Sequence, residues 1–149
     1  MTIAIGCDPN AGALKREVIE ELRSMGHEVT DLGSEDPIYA NVVIDVAEAV
    51  VAGRYDRGIV MCGTGIGASI AANKVPGAYC ALVTDVYQAE RAALSNNANM
   101  IALGAQVTGD KVARLMARTW ISNTKNFDPA GRSAPKMQRI YDYANEHGS

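Results

Sequence analysis

Histidine is scarce in this chain: only His27, inside the run HEVTDL, and His147, in the C-terminal tail, occur. No Cys/His cluster with metal-ligand spacing can be assembled locally from them, which argues against a zinc site. Cysteine is equally thin. Cys7, Cys62 and Cys80 are odd in number and widely spaced, so they read as reduced thiols rather than a disulfide frame. Long apolar runs are missing too. Stretches such as ALVTDV and VVIDVAEAVVAG are broken by acids well before membrane-spanning length, and TIAIGCD lacks a cationic leader with a cleavage site. A cytoplasmic protein is expected. The net charge of -3 arises from scattered side chains, leaving no basic footprint for nucleic acid or an anionic membrane. An anionic ligand would have to be captured locally.

What is present fits one globular domain over residues 1–149: 48% of the residues are hydrophobic and 21% charged, far from the composition of disorder. Short β-type runs alternate with helical segments. TIAIGCD, HEVTDL, RGIVMCG, AYCALV and NMIALG read as strands. Helices are expected over Gly12–Met25, Tyr39–Ala52, Ile66–Asn73, Val86–Asn96 and Asp110–Ser122, and a Gly/Pro-bearing arm and last helix complete a C-terminal extension over 123–149. In the first helix Leu14, Val18, Leu22 and Met25 share one face, with Gly26 placed to cap it. Strands joined through helices need crossovers, which give a parallel sheet covered on both faces. The fold class is therefore α/β, a doubly wound, Rossmann-like sheet of five parallel strands. Ligands of such sheets sit beyond the carboxyl ends of the strands, near the reversal of strand order. GCDPNAG, CGTGIGAS and the SNNAN run before the last strand become the segments of interest.

The segment Cys62-Gly63-Thr64-Gly65-Ile66-Gly67 follows one strand and opens the next helix. Alternating glycines let the backbone turn tightly and bring several N–H groups towards one point, and the helix start adds partial positive charge. That field favours an anionic oxygen and the thiolate form of a nearby thiol, so Cys62 is a candidate proton acceptor while the Thr64 hydroxyl can donate to a substrate oxygen. The glycine pattern by itself is also compatible with strand-to-helix packing or a nucleotide phosphate cradle, with Cys62 a small buried apolar residue.

Taken together, GCD, CGTGIGASIAANKVPG and SNNANMIALGAQVTG, in that order over nearly the whole chain, resemble the ribose-5-phosphate isomerase B / galactose-6-phosphate isomerase family. The resemblance implies interconversion of an aldose phosphate with its ketose, no metal or cofactor, and homodimers with active sites at the subunit interface. It places the catalytic cysteine at Cys62 and the assisting threonine at Thr64. Gly63, Gly65, Ile66 and Gly67 fall on the loop that holds the enediolate, Asp8 on an aspartate binding sugar hydroxyls, and Asn96 on an asparagine of the anion site. Arg132 matches a phosphate-binding arginine, and Lys136 stands where a second arginine is usual.

The departures from the family pattern are specific. Pro9, followed by Asn10, replaces a phosphate-binding histidine, and Ser95 replaces the histidine that opens the sugar ring. Asp36 stands where a site tyrosine is usual. Three substrates or assemblies accommodate these losses. One is an aldotetrose 4-phosphate, which cannot close into a ring because its terminal oxygen is blocked. Another is a split site in which this chain is the cysteine subunit beside a homologous partner. The third is an unusual unphosphorylated sugar, given the weakened cationic positions. A non-catalytic sugar- or nucleotide-binding homologue is the alternative of another class, though a binder has no evident use for the Cys62 thiol.

Elsewhere, Lys15 and Arg16 read as a solvated helix face, with an anion contact as the alternative. Arg91 is open between surface and subunit contact. Cys7 and Cys80, flanked by apolar residues, are expected in the core, and Trp120 with Met116 is expected to serve packing. The charges of the arm, Arg132, Lys136 and Arg139, would by composition alone be a solvated helix.

Overall fold

The computed structural model describes residues 1–148. Five parallel strands, β1 (Thr2–Cys7), β2 (Glu28–Asp31), β3 (Arg57–Cys62), β4 (Cys80–Leu82) and β5 (Met100–Gly104), form one sheet in the order β2-β1-β3-β5-β4. Between and after them run α1 (Gly12–Ser24), α2 (Tyr39–Val51), α3 (Ile66–Asn73), α4 (Val86–Leu94), α5 (Asp110–Asn123) and α6 (Ala134–His147). The expected α/β class, strand number and helix order all hold. Most limits move inward by a residue or two because the flanking residues belong to caps and turns; His27, for instance, lies just outside β2.

The pleat decides which side chains meet which helices. Ile3, Ile5, Cys7, Ile59, Met61, Ile101 and Leu103 point to one face, where α1, α4 and α5 cover them with Leu14, Val18, Leu22, Ala93, Met116 and Trp120. The alternate residues Ala4, Val60, Cys62, Met100 and Ala102 point to the other face, under α2 and α3. Trp120 and Met116 are fully buried, so they serve packing. Cys7 and Cys80 are also core residues.

From β1 the chain winds outward through α1 to β2, then returns over α2 to β3 on the other side of β1. Strand order reverses there, and the loops leaving β1 and β3 diverge to opposite faces. Register pairs Cys7 with Met61, so Asp8 and the segment after Cys62 leave the sheet at neighbouring points on its carboxyl edge. This is where a crevice for a ligand forms in open α/β sheets.

Two expectations need correction. The SNNAN run, grouped above with segments at the carboxyl edge, precedes β5 and so lies at the amino edge: the Asn99 carbonyl accepts the Gly58 N–H at 3.1 Å, beside the start of β3. Lys15 is no part of a solvated face either. It is 2% exposed, while its neighbour Arg16 is exposed. The first turn of α1 abuts the end of β2, where Asp31 receives the Lys15 ammonium.

Candidate active site

Cys62 is the last residue of β3 and is 4% exposed. Its Sγ accepts the Gly65 N–H at 3.2 Å. Gly65 makes this turn at φ +80°, and a side chain there would also run into Leu82 at 2.7 Å, so the position suits glycine on both counts. α3 starts at the next residue, and the N–H groups of its first turn have no partner within the helix. The exposed Thr64 accepts the Ile66 N–H at 3.3 Å through Oγ1, which leaves its hydroxyl hydrogen free to donate outward.

The loop is fixed from β5. Ala105 N–H donates to the Cys62 carbonyl at 2.9 Å, and Gln106 N–H to the Gly63 carbonyl at 2.8 Å. Gly104 has no room for a side chain because the Thr64 backbone occupies that space. Asp8 is buried at the end of the neighbouring strand β1, where one carboxylate oxygen accepts the Ala11 N–H and the other the Asn10 side-chain amide, both at 3.3 Å. Pro9 and Asn10 are exposed beside it and form a single 3-10 turn.

The remaining sequence candidates sit elsewhere. Asn96 donates its side-chain amide to Met137 Sδ of α6 at 3.5 Å, and both line a groove of about 210 Å³ with Asn73, Tyr79, Cys80 and Ile140. Ser95 accepts Arg91 Nε at 2.8 Å. Lys136 is exposed in the first turn of α6, and Arg132 is exposed just before that helix. Since Asn99 lies beside Gly58, and Cys62 is four residues farther along β3, the two clusters are separated by about 13 Å along the strands. Within one chain, Cys62, Thr64 and Asp8 come together, while Ser95, Asn96, Arg132 and Lys136 do not join them.

Asp36 accepts from Ile38 N–H and the Asn41 side chain, which holds its carboxyl below the usual range and ties it to the start of α2. The two histidines stay away from the loop: His27 Nδ1 lies 3.0 Å from the amino terminus, and His147 Nδ1 lies 2.9 Å from the Tyr143 carbonyl. Burial pushes the Cys7 thiol up to about 11 and the Cys80 thiol up to about 12, beyond the range in which a thiol exchanges protons near neutrality.

Two residues next to the loop carried no sequence signal. The Tyr39 hydroxyl lies against Gly67, filling the space a side chain there would need. The Gln106 side chain stands 3.2 Å from where a side chain on Gly63 would begin. Tyr39 looked like an ordinary opening residue of α2 and Gln106 like a loop residue after β5. Only the tertiary fold brings them to the glycines.

Known proteins give the class of this arrangement, a doubly wound sheet with a Cys-Gly-Thr-Gly turn at its switch point. The model of the Ribose/Galactose Isomerase family matches residues 3–140. The chain is 42% identical to D-erythrulose-4-phosphate isomerase of Pectobacterium atrosepticum over 99% of each protein. It is 41% identical to Ribose-5-P isomerase B of Listeria innocua, across 92% of this chain and 93% of that one. Among solved structures, Ribose-5-Phosphate Isomerase B of Clostridium thermocellum superposes with a TM-score of 0.90 at 40% identity, covering 99% of both chains. The chain belongs to the Ribose/Galactose Isomerase family.

Proposed function

We propose that the chain interconverts erythrose 4-phosphate and erythrulose 4-phosphate in the cytoplasm, as a homodimer whose sites each draw on both protomers. The observation that carries the substrate is the lack of an acid/base histidine: Pro9 and Ser95 stand at the two positions where the resembled family has one, and His27 and His147 are engaged elsewhere. An aldopentose phosphate closes into a ring that an acid/base must open before a C–H bond is accessible. A tetrose 4-phosphate has its terminal oxygen esterified and remains open, so the missing group costs nothing. The 42% identity to a D-erythrulose-4-phosphate isomerase over the whole chain supports the same substrate.

In this reading the Cys62 thiolate removes the hydrogen from C2 of the aldose. Negative charge then grows on O1, where the amides around Gly63–Gly67 receive it; one positioned donor of this kind is commonly worth about 3 kcal/mol. Thr64 passes the O2 proton to O1, and the thiol returns its proton to C1, giving the ketose. Asp8 accepts hydrogen bonds from the sugar hydroxyls. Asn96, Arg132 and Lys136 of the second protomer hold the phosphate, because about 13 Å along the sheet is too far for one four-carbon substrate to span within a single chain. Ile66 and Ile70, exposed one turn apart on α3 beside the loop, suit a subunit contact.

The test is turnover of purified protein followed by proton NMR in deuterated water, with erythrose 4-phosphate and ribose 5-phosphate side by side. Deuterium should enter carbon-bound positions of the tetrose pair, with little conversion of ribose 5-phosphate. Equal kcat/KM on the pentose phosphate would overturn the substrate assignment.

A further inference from the structure

Lys15 is the one lysine of the chain buried among the described residues, and nothing in the chemistry proposed above uses it. A buried ammonium is costly unless it is paired and hydrogen-bonded. Its partner is Asp31 at the end of β2, with Nζ 2.8 Å from Oδ1. The same Asp31 oxygen accepts the Gly33 N–H at 2.9 Å. The Gly33 carbonyl in turn accepts the N–H of Cys7 at 3.1 Å, and Leu32 N–H donates to Ile5 at 2.8 Å. Residue 8 follows directly. A continuous set of short polar contacts thus runs from the Lys15 ammonium, through the turn after β2, to the backbone that carries Asp8.

We infer that Lys15 is a positioning residue: through Asp31 and Gly33 it fixes the end of β1 and so the placement of the Asp8 carboxylate towards the substrate. The inference rests on the reading that Asp8 meets the sugar. The charges around Cys7 agree with the geometry, because Lys15, Asp8, Asp31 and Arg16 all act on that one thiol at the end of β1. A methionine at 15 would fill the space of the lysine stem and leave Asp31 without its cation. Gly33 would keep a hydrogen-bond acceptor, but one no longer anchored to α1.

Lys15→Met should raise KM about tenfold with kcat within about threefold, because a sugar hydroxyl contact made equally in ground and transition states shows up as binding. Asp31→Asn should act in the same direction, and the double variant should be no worse than the more impaired single one, since both interrupt one connection. Without any substrate, the amide resonances of Cys7, Ala11 and Gly33 should shift in Lys15→Met while those of α5 stay in place. Unchanged KM in a folded Lys15→Met or Asp31→Asn protein, equal losses in kcat, or unmoved Ala11 and Cys7 resonances would each overturn the inference. Should Lys15→Met not fold, Asp31→Asn answers the same questions. Wild-type protein inert towards tetrose phosphates would overturn the proposed function alone, and the resonance shifts would still decide whether Lys15 governs the end of β1.

Discussion

The Gly65 amide points at the Cys62 sulfur from 3.2 Å, so the turn that starts α3 is built around the thiol and not merely next to it. A small buried residue serving only to pack would be replaceable by any group of its size. Cys62→Ser keeps the size and the hydrogen-bond acceptor but has no anionic form near neutrality. It should lower kcat by about 10²–10⁴-fold, the usual worth of a positioned acid/base, while melting close to wild type. Steady-state kinetics beside a thermal melt decide the matter, and a serine variant within tenfold of wild type would remove the thiol from the mechanism.

Gly67 and Tyr39 share one space. Gly67→Ala puts a methyl group where the Tyr39 ring and hydroxyl now lie, so the tyrosine or α3 must move. Overpacking of this kind costs about 1–3 kcal/mol. Tyr39→Leu vacates the space, so the double variant should regain part of that loss, with a coupling energy of about 1 kcal/mol in urea titrations. Gly12→Ala, at a helical position whose nearest neighbour is the Arg16 guanidinium at an ordinary 3.7 Å, is the control and should not destabilise. Strict additivity of Gly67→Ala and Tyr39→Leu would mean that the two do not compete.

The parallel sheet and its switch point were readable because apolar runs alternate with helical periods, and periodicity is a local property of the chain. The Cys62 loop was readable for the same reason: its glycines, thiol and helix start are contiguous. Asn96 and Lys15 were not. The SNNAN run looked like a loop at the ligand-binding edge, but whether a segment precedes or follows a strand decides its edge, and in a parallel sheet those edges are opposite. Lys15 looked solvated because a charged side chain on an amphipathic helix usually is. Its burial depends on Asp31, sixteen residues away across a crossover, which no local pattern reveals.

Alkaline stability follows from the two core thiols. Burial raises Cys7 from 9.0 to about 11 and Cys80 from 9.0 to about 12 in the folded chain. The folded state therefore holds these protons over a range where the unfolded chain has released them. The stabilisation is complete below pH 9, starts to fall as the unfolded thiols ionise, and is lost through pH 11 and above. Unfolding free energy measured in urea from pH 8 to 11 should decline across the upper part of that range, and Cys80→Ala should flatten the slope whatever it does to the absolute value. An identical slope in that variant would count against the thiols as its origin.

The separation of Cys62 from Asn96 makes the two-protomer site testable without a new structure. If each site takes Cys62 from one chain and Asn96 from the other, a dimer of Cys62→Ser with Asn96→Ala has one site carrying both changes and one carrying neither. Each homodimer should be strongly impaired. After unfolding and refolding an equimolar mixture, half the dimers are mixed and half of their sites are intact, so activity should return to about a quarter of wild type. A site formed within a single chain predicts no recovery, since every Cys62 that survives would remain beside a lost Asn96. Activity of the mixture no higher than the mean of the two variants would therefore return Asn96 to a structural role, with Met137 as its partner at 3.5 Å.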